Sequence, residues 1–198
     1  MNPAPSNLTD EEIIEQVIAG EYENYRYLIE RYKNYVFSIV MHHVPMEETE
    51  ELAHEVFISA YKALANCKNK HHFQYWLKTI AVRKCYDYWR KTYRYNKKIR
   101  ERLSEEYRNR IENIIKSSSK EECLKQGTED ETKKLLDWLL NTLSPEERMV
   151  LKLIYFDGLS VKETADLLGW SIVHVKVQSF RSKRKLQKII KERLNQDE

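Results

Sequence analysis

The chain has 198 residues, 33% of them charged and 41% apolar, and 34 basic against 31 acidic side chains leave a net charge of +3. Glycine and proline occur only four times each, well below their usual shares of about 7% and 5%. Strands and hairpins need those residues at their turns, which excludes an all-β sandwich or barrel. No apolar run reaches the roughly 18 residues of a membrane helix, and Met1–Asp10 has neither the basic nor the apolar stretch of an export signal. The expectation is a cytoplasmic protein without direct membrane insertion. Three cysteines, Cys67, Cys85 and Cys123, form no CxxC pair, which argues against a disulfide scaffold or a zinc knuckle.

Thr9 with Glu12 predicts a capping box ahead of Ile13, Ile14, Val17 and Ile18, with Gly20 as the stop. Leu28, Ile29, Tyr32, Val36, Ile39 and Val40 recur at helical intervals and predict a second helix ending near Pro45. Ala53, Phe57, Ala60, Tyr61 and Leu64 form a third stripe, and Phe73, Trp76, Leu77, Ile80, Ala81 and Tyr88 a fourth. These four segments can cover one another's apolar faces, so residues 1–95 are expected to form one helical domain. From 96 to 130 the periodicity weakens, charges of both signs alternate and Ser117–Ser119 interrupts, as in a partly helical linker. A second domain, 131–198, opens with a leucine-rich segment. Ser144-Pro145-Glu146-Glu147 then supplies an N-cap, a proline at the first helical position and a capping-box glutamate. Ser160 with Glu163 caps a short helix ending at Leu168-Gly169, and Ser171 opens the last one. The fold class expected is all-α: two helical domains joined by a flexible linker, the C-terminal one containing a helix-turn-helix.

Charge is unevenly distributed. Glu47, Glu48, Glu50, Glu51 and Glu55 form a block without Lys or Arg, whereas Arg83–Arg100 holds eight basic residues and one acid. A second basic run contains Lys176, Arg181, Lys183, Arg184, Lys185, Lys188, Lys191 and Arg193. Two basic runs suggest two nucleic-acid contacts, and the acidic block a protein contact; solvated helix faces are the plain alternative.

Two short helices joined by a tight glycine turn, the second strongly basic, have the form of a helix-turn-helix, although a hairpin used for protein contacts has it too. Periodicity places Ile172, Val175, Ser179 and Leu186 inward. His174, Val177, Gln178, Arg181 and Lys185 then face base edges, with Lys183, Arg184 and Lys188 reaching phosphates. In the 73–95 segment, a wheel of about 100° per residue sets Phe73, Leu77, Ile80 and Tyr88 on the buried side. Tyr75, Tyr86, Trp89 and Tyr93 fall opposite, among Arg83, Arg90 and Arg94. Rings among guanidiniums suit a stacking platform for unpaired bases; packing on a linker or partner helix is the other use for them. No metal, cofactor or catalytic site is expected: His54-Glu55 begins like a zinc-protease helix, but Ile58 stands where the second His is required. The glycines stand alone, so no phosphate-binding loop is present.

These motifs together resemble the extracytoplasmic-function group of bacterial RNA polymerase sigma factors. Glu50-Glu51-Leu52-Ala53-His54-Glu55-Val56-Phe57-Ile58-Ser59-Ala60-Tyr61 is similar to the family's polymerase-clamp segment. Phe73–Ala81 followed by Asp87-Tyr88-Trp89-Arg90-Lys91 is similar to the promoter-melting segment that reads the minus-ten element. Leu143–Arg148, Gly158–Ser160, Glu163–Ala165, Leu168-Gly169 and Val175-Lys176 are similar to the domain that reads the minus-thirty-five element.

The resemblance implies core RNA polymerase and promoter DNA as partners, commonly an anti-sigma factor as well, and no enzymatic activity. It implies that Glu51, Leu52, His54, Glu55 and Ile58 dock on core polymerase. It assigns the minus-ten strand to Asn69, Lys70, His71, His72, Tyr75, Arg83, Tyr86, Trp89, Arg90 and Tyr93. The upstream element goes to Ser171, His174, Lys176, Val177, Gln178, Phe180, Arg181 and Arg184. His54 stands where the family usually has Gln, and Val177-Gln178 where it often has Ser-Arg. A stand-alone repressor or activator using residues 159–193, or a protein-binding adaptor, are the rival readings of the residues.

Overall fold

The computed structural model describes residues 8–67, 70–102, 136 and 139–194, and every regular element among them is helical. The chain folds as two compact units, Met1–Asp87 and Tyr88–Glu198. The division falls inside a helix, eight residues before the boundary expected at 95. Of the expected linker, 96–102 continue that helix, and the rest lies outside the described residues.

In the first unit α1 (Asp10–Ile18) begins at the expected capping box. Thr9 Oγ1 accepts from the Glu12 backbone N–H at 3.2 Å, and Glu12 Oε2 accepts from the Thr9 N–H at 2.7 Å. The Thr9 N–H and the Thr9 hydroxyl, both donating to that carboxylate, hold the Glu12 carboxyl below its ordinary value of 4.5. Gly20 ends the segment at φ 110°, a conformation open to residues without a Cβ. α2 (Tyr25–His43) packs against α3 (Met46–Ala63) through Leu28, Val36 and Val40 on one side and Ala53, Val56, Phe57 and Ala60 on the other. Val44 in extended geometry and Pro45 separate the two helices, because a proline disfavours helical backbone in the residue before it. Inside this pair the Tyr25 hydroxyl donates to the Phe57 carbonyl at 2.8 Å. Burial pushes that phenol well above its ordinary value, so it stays a neutral donor.

A turn of 3-10 helix at Lys70–His72 leads into α4 (Phe73–Arg102). It is tied to α1 by Lys70 Nζ to Glu15 at 2.8 Å and His71 Nδ1 to Glu11 at 3.1 Å. Phe73, Leu77, Ala81, Val82 and Cys85 are buried, and the Phe73 ring meets Tyr32 edge-on at 5.4 Å.

In the second unit, a helical segment through Asn141 precedes α5 (Pro145–Leu151). Ser144 caps α5, its Oγ accepting from Glu147 N at 3.2 Å while Glu147 returns a carboxylate to Ser144 N at 2.9 Å. A π-helical turn follows at Lys152–Phe156, closed by Asp157 N donating to the Lys152 carbonyl at 3.0 Å. Ser160 and Glu163 cap α6 (Val161–Leu168) in the same reciprocal way, at 3.1 and 2.8 Å. Gly169 closes α6 with φ 72°. Ser171 Oγ then accepts from His174 N at 3.1 Å and starts α7 (Ile172–Leu194). Leu140, Leu143, Met149, Val150, Leu153, Leu167 and Val175 form the core, with α5 and α6 both packed on α7.

Candidate nucleic-acid interface

The α6–turn–α7 pair is a helix-turn-helix whose second helix has a definite inside and outside. Val175, Gln178 and Ser182 face the core. At about 100° per residue the opposite side is Val173, Lys176, Val177, Phe180, Arg181 and Arg184, all exposed. This corrects the wheel drawn from periodicity in two places. Gln178, expected among the base-reading side chains, is only 8% exposed and belongs to the inner face. Ile172, expected inside, is exposed, because it lies about a quarter turn round from the side shared by Val175, Gln178 and Ser182. The reason is that a three-residue step from Val175 reaches Gln178 and a four-residue step from there reaches Ser182, so two polar side chains share the valine's side.

The remaining upstream assignments divide by what they touch. Ser171 spends its hydroxyl on capping α7. The exposed His174 ring stands 4.8 Å from Trp170, edge to face. Lys185, expected at base edges, donates to the Thr142 carbonyl at 2.6 Å and lies 3.6 Å from Glu147. Lys183 sits 4.6 Å over the Tyr155 ring, and the Tyr155 hydroxyl lies 3.3 Å from Ser179 Oγ. The Lys183 and Ser179 hydrogen bonds lower the Tyr155 pKa. Two residues escaped the sequence reading. Val173 is 70% exposed and in line with Val177 and Phe180; its spacing of four and seven from them was the available signal. Tyr155 is aimed at α7 from the π-helical turn, which no residue pattern announces.

On α4 the aromatic row is present but unevenly exposed. Tyr75 and Tyr93 are open, whereas Tyr86 and Trp89 are half-buried. Within the second unit the Arg148 guanidinium lies 3.6 Å from the Trp89 ring centroid, a cation–π contact, and Arg148 donates to Asn141 Oδ1 at 2.6 Å. The solvent-facing row expected from the wheel is therefore partly covered. Its buried counterpart, Phe73–Leu77–Ala81–Cys85, advances four residues at a time and turns about 40° per step, so by Cys85 it has swung towards the aromatic side. Arg83 and Arg90 are exposed, as are His71 and His72. Lys70 holds Glu15; Asn69 lies outside the described residues.

On α3, Glu51, His54 and Ile58 are exposed along one face. Glu55 is half-buried beside them, paired with Lys84 at 3.1 Å. Leu52, expected on this docking face, is 8% exposed and packs in the core instead, since it lies one residue round from Glu51 on the α2 side. A groove of about 640 Å³ runs next to His54 and Ile58, lined by Tyr22, Arg26, Phe57 and Tyr61 among others. Among the described residues no helix is long and apolar enough to cross a membrane.

A capped helix-turn-helix presenting a basic outer face defines a DNA-binding protein of transcription. The Sigma-70 region 2 family matches residues 28–95, and the Sigma-70, region 4 family matches residues 133–186. The ECF RNA polymerase sigma-E factor of Escherichia coli (strain K12) is 28% identical over 181 residues, 89% of this chain and 91% of that protein. RNA polymerase sigma factor YlaC of Bacillus subtilis (strain 168) is 28% identical over 173 residues, 83% of this chain and 88% of its own length. A solved structure of CnrH in complex with the cytosolic domain of CnrY covers 92% of this chain and 97% of that one, at 20% identity and a TM-score of 0.49. The chain belongs to the extracytoplasmic-function sigma factors, alternative sigma factors of transcription initiation.

Proposed function

We propose that this chain is a cytoplasmic, non-enzymatic initiation factor whose three surfaces divide the work. The α3 face of Glu51, His54, Glu55 and Ile58 docks on core RNA polymerase. The 70–72 turn and the α4 side chains Tyr75, Arg83, Tyr86, Trp89, Arg90 and Tyr93 hold the opened strand at the minus-ten element, rings on bases and guanidiniums on phosphates. The outer face of α7, with Lys176, Val177, Phe180, Arg181 and Arg184, enters the major groove of the upstream element. On this reading 1–95 and 131–198 are the two working domains and 96–130 the linker. An anti-sigma factor is the regulatory partner the family implies.

The observation that carries the reading is the basic outer face of α7, on the second helix of a helix-turn-helix, occurring in one chain with the separate exposed face of Glu51, His54 and Ile58 on α3. A stand-alone repressor would use that face alone and leave the α3 and α4 surfaces idle. Run-off transcription with core RNA polymerase, with and without the chain, on the fragment upstream of its own gene and on a promoter library separates the two. A discrete transcript that depends on the chain is the expected result. Failure to bind core polymerase, together with tight binding of the purified chain to intact duplex, would replace this reading with the stand-alone regulator.

A further inference from the structure

Over its first two turns the summit of the outward α7 face is apolar. Val173, Val177 and Phe180 fall within about 60° of one another on the helix, opposite Val175, Gln178 and Ser182, and are 70%, 41% and 65% exposed. Lys176 lies on one flank of this row and Arg181 on the other, with Arg184 continuing it towards the C-terminus. An exposed apolar row costs solubility; with α7 laid in a major groove along this face, as proposed, the row would reach deepest and the flanking cations would lie nearer the phosphates.

The row's chemistry restricts what it can meet. Most major-groove edges carry donors or acceptors, and an aliphatic or phenyl side chain set against them strips water without returning a hydrogen bond. The exception is the C5-methyl group of thymine, the one apolar group that the groove presents. The flanking cations hold the duplex against the row by charge complementarity. From Val173 to Phe180 the helix rises about 10 Å, the length of about three base-pair steps of about 3.4 Å.

We infer that Val173, Val177 and Phe180 form an apolar row that reads thymine through its 5-methyl group, so that the upstream element of this chain carries A·T pairs within the three or so base pairs that the row spans. The inference rests on the proposed DNA role of α7 and names the base class it selects. Lys176, Arg181 and Arg184 remain for phosphates and guanine edges.

The test uses holoenzyme assembled from core polymerase and the full chain. An upstream element is selected from a randomised library, and each thymine in it is then replaced singly by deoxyuridine, which pairs identically but lacks the methyl group. At one to three neighbouring positions holoenzyme affinity should fall about fourfold, the scale of one buried methyl-sized group. In Val177→Ser and Phe180→Ala holoenzymes, both side chains being outside the core, the thymine and deoxyuridine templates should bind alike at the position each residue reads. A selected element without A·T pairs in that stretch, or indifference to deoxyuridine at every position by a holoenzyme that still gives promoter-dependent transcripts, overturns the inference and leaves the sigma function standing. Absence of any chain-dependent transcript across the library overturns both.

Discussion

The helices α4 and α7 make opposite use of the same ingredients. Both are long, 30 and 23 residues, and both combine cations with outward apolar or aromatic side chains. On α7 the buried positions Val175, Gln178 and Ser182 alternate steps of three and four, so the inner face stays on one side and the outer face stays clear. On α4 the buried ladder steps by four from Phe73 to Cys85 and drifts round the helix towards the side of Tyr86 and Trp89, which are half-buried. Composition alone does not distinguish a clear reading face from a partly covered one. The direction in which the buried stripe travels does.

Breaking the α4 ladder should have the largest effect. Leu77 is fully buried in it, and Leu77→Ala should cost about 2–5 kcal/mol, seen as a lower urea midpoint at unchanged m-value. A loss within 0.5 kcal/mol would mean that the ladder is not what holds α4. Trp89→Ala sharpens the comparison from the other side. If the ring stacks on an unpaired base once promoter DNA is bound, opening measured by permanganate reactivity should weaken by about 1–3 kcal/mol while core polymerase binding is retained. Unchanged opening would make Trp89 a packing residue for Arg148 alone. Gln178→Ala is the matching experiment on α7. A buried Gln should cost about 1 kcal/mol of stability through lost contacts and leave the selected upstream sequence as it was; a changed sequence preference would return Gln178 to the reading face.

The smallest effect concerns acid. The Glu12 carboxyl is held below its ordinary 4.5 by the Thr9 N–H, so its folded value is the depressed one. Its contribution is fully present above the ordinary carboxylate range and is lost as pH falls through the depressed value. Fraying of α1 on acidification, followed by amide exchange at residues 9–13, should therefore be blunted in Glu12→Gln, which has no proton to take up.

What the sequence by itself determined is local. The boxes Thr9–Glu12, Ser144–Glu147 and Ser160–Glu163 all formed, because each is closed by groups three residues apart and needs no partner helix. The order of motifs likewise sufficed to bring out the family, since a family pattern is a property of the chain order. What only the tertiary structure decided is which side of each helix is covered. Leu52 went to the core and not to the α3 face, Gln178 inward, Trp89 beneath Arg148, and Val173 outward into the row. Burial depends on the neighbouring helix and the angle at which it crosses, and neither is written in the spacing of residues along one helix.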